Sequence, residues 1–152
     1  MSDKTSNTRL PAKSSRRRAR ELALQGIYQW RLSGNQAAQI EKQIADEKNL
    51  GRYDAGFYSD LLRGVLANSG ELLTAVAPHL DRPLDELSPI EYSVLLLAAY
   101  ELTHLPEIPY RVVINEAVEL AKSYGGTDGY KYVNGVLDKL AAQARAVEVA
   151  AK

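Results

Sequence analysis

The stretch Pro109–Leu140, PYRVVINEAVELAKSYGGTDGYKYVNGVLDKL, decides the fold. Val113, Ala117, Leu120, Ala121 and Tyr124 return at three- and four-residue steps, the spacing of one buried helical face. Gly125-Gly126 then stops the helix, because glycine takes the left-handed cap conformation without steric cost. Thr127 or Asp128 is placed to cap a second helix, in which Val133, Val136, Leu137 and Leu140 repeat the spacing.

Working upstream, Ser88-Pro89-Ile90-Glu91 is a strong helix start: serine caps, proline takes the first helical position and glutamate reaches back. The VLLLAAYEL segment that follows is apolar on most sides but too short to span a membrane, which predicts a buried central helix closed by Pro106 and Pro109. Downstream of Leu140, AQARAVEVAAK extends the last helix and frays. At the other end, residues 1–13 lack helical periodicity and read as a flexible basic tail. Ser14 or Ser15 caps a helix to about Leu32 with the stripe Ala19, Leu22, Ala23, Gly26, Ile27 and Trp30, leaving Arg17, Glu21, Leu24, Tyr28 and Arg31 on its far side. Ser33-Gly34-Asn35 turns the chain, with Asn35 as cap, into a short helix carrying Ala37, Ile40 and Ile44. From Asp54 to about Pro78 the apolar spacing reads as one long helix bent near Asn68-Ser69-Gly70, with two helices as the alternative, and a short helical turn follows Pro83. The chain is therefore expected to be all-α: a compact bundle of about six to seven helices in two small subdomains, about 14–80 and 81–145, with 146–152 frayed.

A chain of 152 residues suits this organisation, and the absence of cysteine excludes disulfides and thiolate metal sites. His79 and His104 have no metal-ligand spacing, no phosphate-loop motif is present, and Gly125–Gly129 follows a helix instead of a strand. No catalytic residue, metal or cofactor is expected. No apolar run reaches membrane-span length, and the basic N-terminal stretch lacks the apolar segment of a signal peptide, which fits a cytoplasmic protein. The formal net charge of zero hides an asymmetry: residues 1–20 hold seven cations against Asp3, a net of +6 that leaves −6 on the remainder.

Arg16, Arg17 and Arg18 would lie in a first helical turn, where the helix dipole opposes cations, and Arg16 and Arg20 are like charges one turn apart. Such a run is ordinarily a solvated face. An exposed Tyr28 farther along the helix favours a nucleic-acid strand, since cations take phosphates and a ring takes a base. Lys131 and Tyr132, outside the core stripe of the last helix, repeat the pairing, although a scattered surface aromatic is equally ordinary. Residues 81–107 hold Asp81, Asp85, Glu86, Glu91, Glu101 and Glu107 against Arg82, a net of −5 that suits either solvation and capping or a basic protein partner.

The strings IPYRVVINEAVELAKSYG and KYVNGVLDKL, with SSRRRARELALQGIYQW near the N-terminus, resemble the transcription antitermination factor NusB family over about Ser14–Leu140. The resemblance implies an all-helical, non-enzymatic protein that binds single-stranded boxA RNA with the ribosomal protein NusE. It would act with RNA polymerase and other Nus factors in antitermination, notably on ribosomal RNA operons. Carried over residue by residue, it implies RNA contacts from Arg16, Arg17, Arg20, Tyr28, Asp128, Lys131 and Tyr132, and a NusE-facing surface that includes Asp85, Glu86 and Glu91. Two rivals remain: a protein-binding helical adaptor without RNA activity, and a stand-alone relative of the helical domain of RNA-cytosine methyltransferases.

Overall fold

The computed structural model describes residues 12–151, with side chains from Ser14 onward; the expected tail thus lies mostly outside the described residues. Among the described residues there are eight α-helices and no strand: α1 (Ala12–Ser33), α2 (Ala37–Ala45), α3 (Ala55–Ala67), α4 (Ser69–Val76), α5 (Pro89–His104), α6 (Tyr110–Tyr124), α7 (Gly129–Ala144) and α8 (Ala146–Ala150). Two 3₁₀ turns, Ala77–His79 and Leu84–Glu86, lie between α4 and α5. The chain is all-α, as the periodicity requires. The helices exceed the expected count because the segment after Asp54 breaks at Asn68 and the last helix breaks at Arg145. At the first break the Asn68 side chain donates to the Gly64 carbonyl at 2.8 Å, a local bond that competes with helix continuation. Packing divides the chain into residues 1–63 and 64–152, a line inside α3 and earlier than the expected boundary near Leu80.

In the first unit, Ala19, Leu22, Ala23 and Ile27 of α1 are buried, as are Ile40 and Ile44 of α2 and Phe57, Tyr58, Leu61 and Leu62 of α3. The helix already runs at Ala12, so Ser14 and Ser15 lie inside it instead of capping it. Trp30, expected in the stripe, is half-buried. Leu24, projected outward, is only 2% exposed, so α1 buries more than one side. Its end is a left-handed glycine: Gly34 has φ +73° and donates its N–H to the Trp30 carbonyl at 2.8 Å. Gln36, not Asn35, occupies the N-cap of α2, without a side-chain bond. Asp54 caps α3, its Oδ1 accepting from the Phe57 N–H at 3.0 Å.

In the second unit α5 is the central element, with α4, α6 and α7 packed against it. Every residue from Tyr92 to Leu102 is buried, which explains why its sequence shows no polar face. The expected capping box forms: the Glu91 N–H donates to Ser88 Oγ at 3.1 Å and the Ser88 N–H to Glu91 Oε1 at 3.3 Å. Gly64, which begins this unit, lies against the Tyr100 ring so closely that any side chain there would meet it. Val113, Ala117, Leu120, Ala121, Val133, Val136, Leu137 and Leu140 form the buried faces of α6 and α7 as read. Tyr124, counted on the same face, is 47% exposed. Gly125 ends α6 in an extended conformation (φ −99°, ψ −171°), not in the expected left-handed cap.

The C-terminal segment does not simply fray. Arg145 is 8% exposed and its guanidinium closes the far end of α5. Nε donates to the Leu102 carbonyl at 2.7 Å, and Nη2 to those of Glu101 and Leu105 at 3.2 and 3.0 Å. A helix end leaves its last carbonyls without intrahelical donors, and a cation there also suits the dipole. Nη1 donates to Glu148 Oε1 at 2.6 Å, while Glu148 Oε2 accepts from the Tyr110 N–H at 2.8 Å. One arginine and one glutamate thus satisfy the end of α5 and the start of α6 together.

Candidate nucleic-acid interface

The arginine run on α1 is differentiated by the fold. Arg16 lies with its guanidinium 4.3 Å from the centroid of the Phe57 ring and its Nε 3.6 Å from Asp54 Oδ2. Arg20 approaches the same ring at 5.0 Å. The ring and the carboxylate between them relieve the like-charge repulsion expected of the pair. Asp54 is itself fixed, because its N–H donates to the Ser15 carbonyl at 3.1 Å and its other oxygen caps α3. Since α1 is already helical at Ala12, Arg16 lies beyond its first turn, and the dipole penalty is weaker than expected.

Burial then separates the four arginines. Arg20 is 4% exposed, too enclosed for the direct phosphate contact expected of it. Arg18 is committed locally: Nε donates to the Leu50 carbonyl at 2.8 Å and Nη1 to Glu21 at 2.9 Å. Arg16 is exposed and Arg17 half-buried. Tyr28 is half-buried instead of fully exposed, and lies about 18 Å along the α1 axis from Arg16 at 1.5 Å per residue. It neighbours the exposed Arg31, one turn on, more closely than the arginines first grouped with it.

In the second unit Asp128, Lys131 and Tyr132 cluster at the start of α7. Asp128 occupies the N-cap position but makes no capping bond; its Oδ1 instead lies 3.6 Å from Lys131 Nζ. Tyr130 is half-buried, with Lys122 and Lys131 ammonium groups 5.0 and 6.0 Å from its ring centroid. Tyr132 is half-buried, and one ring face is covered by Arg82, whose guanidinium carbon lies 4.1 Å from the centroid. The Asp81 N–H donates to the Tyr132 hydroxyl at 3.3 Å, and Arg82 Nε to Asp81 Oδ1 at 2.9 Å. Burial is the main influence on the Tyr132 phenol and raises its pKa, while the hydrogen bond from Arg82 holds the Asp81 carboxyl below its ordinary range. In the sequence Arg82 stands only as the exception in an acidic stretch, because the ring that seats it lies fifty residues away.

The acidic surface is smaller than its sequence count. Asp85 and Glu86 are exposed on the second 3₁₀ turn, and Glu91 is half-buried within the capping box. Glu101, counted among them, is 2% exposed and belongs to the interior. Glu91 Oε2 lies 2.8 Å from where a Cβ on Gly129 would stand, so this carboxylate borders the start of α7. Among the described residues no group of His, Asp and Glu is arranged to hold a metal ion, and no helix is long and apolar enough to cross a membrane.

The model of the NusB family matches residues 17–142. The transcription antitermination protein NusB of Nitrosomonas eutropha is 60% identical over 137 residues, covering 90% of this chain and 82% of the relative. That of Ralstonia pickettii is 57% identical over 142 residues, covering 93% and 92%. Among solved structures, T. maritima NusB superposes with a TM-score of 0.76 at 32% identity, covering 88% of this chain and 92% of that one. A crystal structure of antitermination factors NusB and NusE in complex with dsRNA gives 0.76 at 28% identity, covering 84% and 96%. With a family match across most of its length and relatives of this identity, the chain belongs to the NusB family.

Proposed function

We propose that this chain is a transcription antitermination factor that binds boxA-type RNA together with NusE and acts with RNA polymerase in the cytoplasm by assembly, not catalysis. Membership of the NusB family carries the reading, and the structural relative that holds NusE and RNA supports both partners. Arg16 and Arg17 of α1 supply phosphate contacts from the first unit, Lys131 from the second. Arg20 acts from within, steadying Phe57 and Arg16. Tyr28 provides aromatic surface, Tyr132 contributes beneath the Arg82 guanidinium that covers one of its faces, and Asp128, released from Lys131, offers an acceptor to a base edge. Asp85, Glu86 and Glu91 form the face offered to the basic NusE, where opposite charge speeds and orients docking.

The test is a titration of single-stranded boxA RNA, a scrambled strand and a duplex, with and without NusE. Preference for boxA that strengthens with NusE is expected. Three phosphate contacts predict a slope of log K against log salt of about −2, at about −0.7 for each on a single strand. Equal affinity for boxA and scrambled strands in the presence of NusE would defeat the reading. The adaptor without RNA activity predicts NusE binding with no RNA binding at all.

A further inference from the structure

Arg82 is a cation in an acidic stretch, and its surroundings are not those of an ordinary surface arginine. Its guanidinium carbon sits over Tyr132, 4.1 Å from the ring centroid, and Nε is bonded to Asp81 at 2.9 Å. The Asp81 N–H in turn bonds the Tyr132 hydroxyl at 3.3 Å, so the Asp81-Arg82 pair is held to the tyrosine by both face and edge. Pro83 follows with φ −60° and ψ 148°, and a residue before proline is confined to extended backbone. Arg82 is therefore fixed in backbone and side chain, yet its side chain remains 40% exposed. Among the described residues its two terminal nitrogens have no hydrogen-bond partner, since Nε alone serves Asp81.

A held, planar fork with unfilled donors is suited to a phosphate, and less conformational freedom is lost on binding than for a loose lysine. The same geometry covers one face of the Tyr132 ring, so a base cannot stack there without displacing Arg82. We propose that Arg82 is a phosphate-binding residue of the RNA surface and that Tyr132 is a positioning residue acting through it. The inference rests on the RNA reading above and adds a fourth contact to it, steepening the expected salt slope from about −2 to about −3.

The test measures binding of single-stranded boxA and scrambled RNA to the full chain with NusE across a salt series. It compares the unmodified protein with Arg82→Ala, Arg82→Lys, Tyr132→Ala, the Arg82→Ala/Tyr132→Ala pair and Arg17→Ala. Thermal melts confirm that each variant is folded. Arg82→Ala should weaken binding about tenfold at low salt, flatten the slope by about 0.7 and do so equally for both RNAs, because a phosphate carries no base identity. Arg82→Lys should keep the slope and recover part of the affinity. Tyr132→Ala should weaken binding, and the pair should be no worse than Arg82→Ala alone. An unchanged slope in Arg82→Ala, tighter binding, or additive losses in the pair would overturn the proposal. If Arg17→Ala flattens the slope and Arg82→Ala does not, this inference alone fails. If the unmodified protein binds neither RNA, the RNA reading fails and takes this one with it.

Discussion

The two ends of α5 are each attended by an arginine, and the two arginines differ in how completely they are satisfied. At the C-terminal end Arg145 is buried, and its nitrogens serve three carbonyls and the Glu148 carboxylate. Near the N-terminal end Arg82 is exposed, seated on a ring, with one nitrogen bonded to a carboxylate. A buried cation with every nitrogen bonded holds the fold, because removing it leaves the Leu102 carbonyl without its donor and strips a second donor from the Glu101 and Leu105 carbonyls. A cation fixed by an aromatic seat with donors to spare is arranged for a ligand. Residue type is the same at both ends; the surroundings assign the roles.

The largest expected effect breaks the C-terminal end. Arg145→Ala leaves the Leu102 carbonyl without its donor and takes a second donor from those of Glu101 and Leu105, which should cost about 2–3 kcal/mol and lower Tm by about 5–10 °C for a chain of this size. Arg82→Ala should leave Tm essentially where it was. Equal shifts in the two melts would remove the contrast. Next comes Ser88→Ala, which deletes the N-cap of the same helix and should cost about 1 kcal/mol by urea titration. A loss as large as that of Arg145→Ala would mean that the N-terminal end is equally demanding.

A pH series sharpens the comparison further. The Tyr110 N–H, the largest influence, and then Arg145 hold the Glu148 carboxyl below its ordinary value of 4.5. A lowered acid stabilises the fold above its unfolded pKa, and that contribution disappears as pH falls from about 4.5 through the lowered folded value. The Tm advantage of the native protein over Glu148→Gln should therefore be present at pH 7 and shrink on acidification below that window. An advantage that persists unchanged in strong acid would show that shape, not charge, matters there. The smallest change is expected in stability and a larger one in docking at Glu91. Glu91→Lys should weaken NusE binding several-fold with helical circular dichroism retained, whereas Glu91→Gln, which still caps, reports charge alone. If Glu91→Gln binds NusE as the native protein does, only the cap mattered.

The sequence made the helices legible wherever one face alternated cleanly with solvent. Val113 through Ala121 and Val133 through Leu140 were readable because α6 and α7 each bury a single face. α1 was half legible: it buries Leu24 as well as its stripe, and a single-face projection cannot see a second side. The Ser88–Glu91 box was readable because its bonds span three residues, while the break at Asn68 competes with strong helical spacing and was resolved only by a side-chain bond to Gly64. Of the candidate site, the charges were visible and their fates were not. Nothing local distinguishes Arg20, enclosed beside Phe57, from Arg16, exposed on the same ring. Arg82 and Arg145 depend on partners fifty and about forty residues away, beyond the reach of periodicity.

The close approach of Gly64 to Tyr100 has a consequence for which sequences this fold accepts. Any side chain at position 64 would enter the tyrosine ring, and that ring is itself stacked on His104 at 4.9 Å between centroids. At Gly70 and Gly135, also within helices, a Cβ would meet open space. A library randomised at all three positions and selected for folding should return glycine at 64 and alanine or longer helix formers at 70 and 135. One glycine thus limits the neighbourhood of functional sequences around this chain, while the other two leave it room to drift.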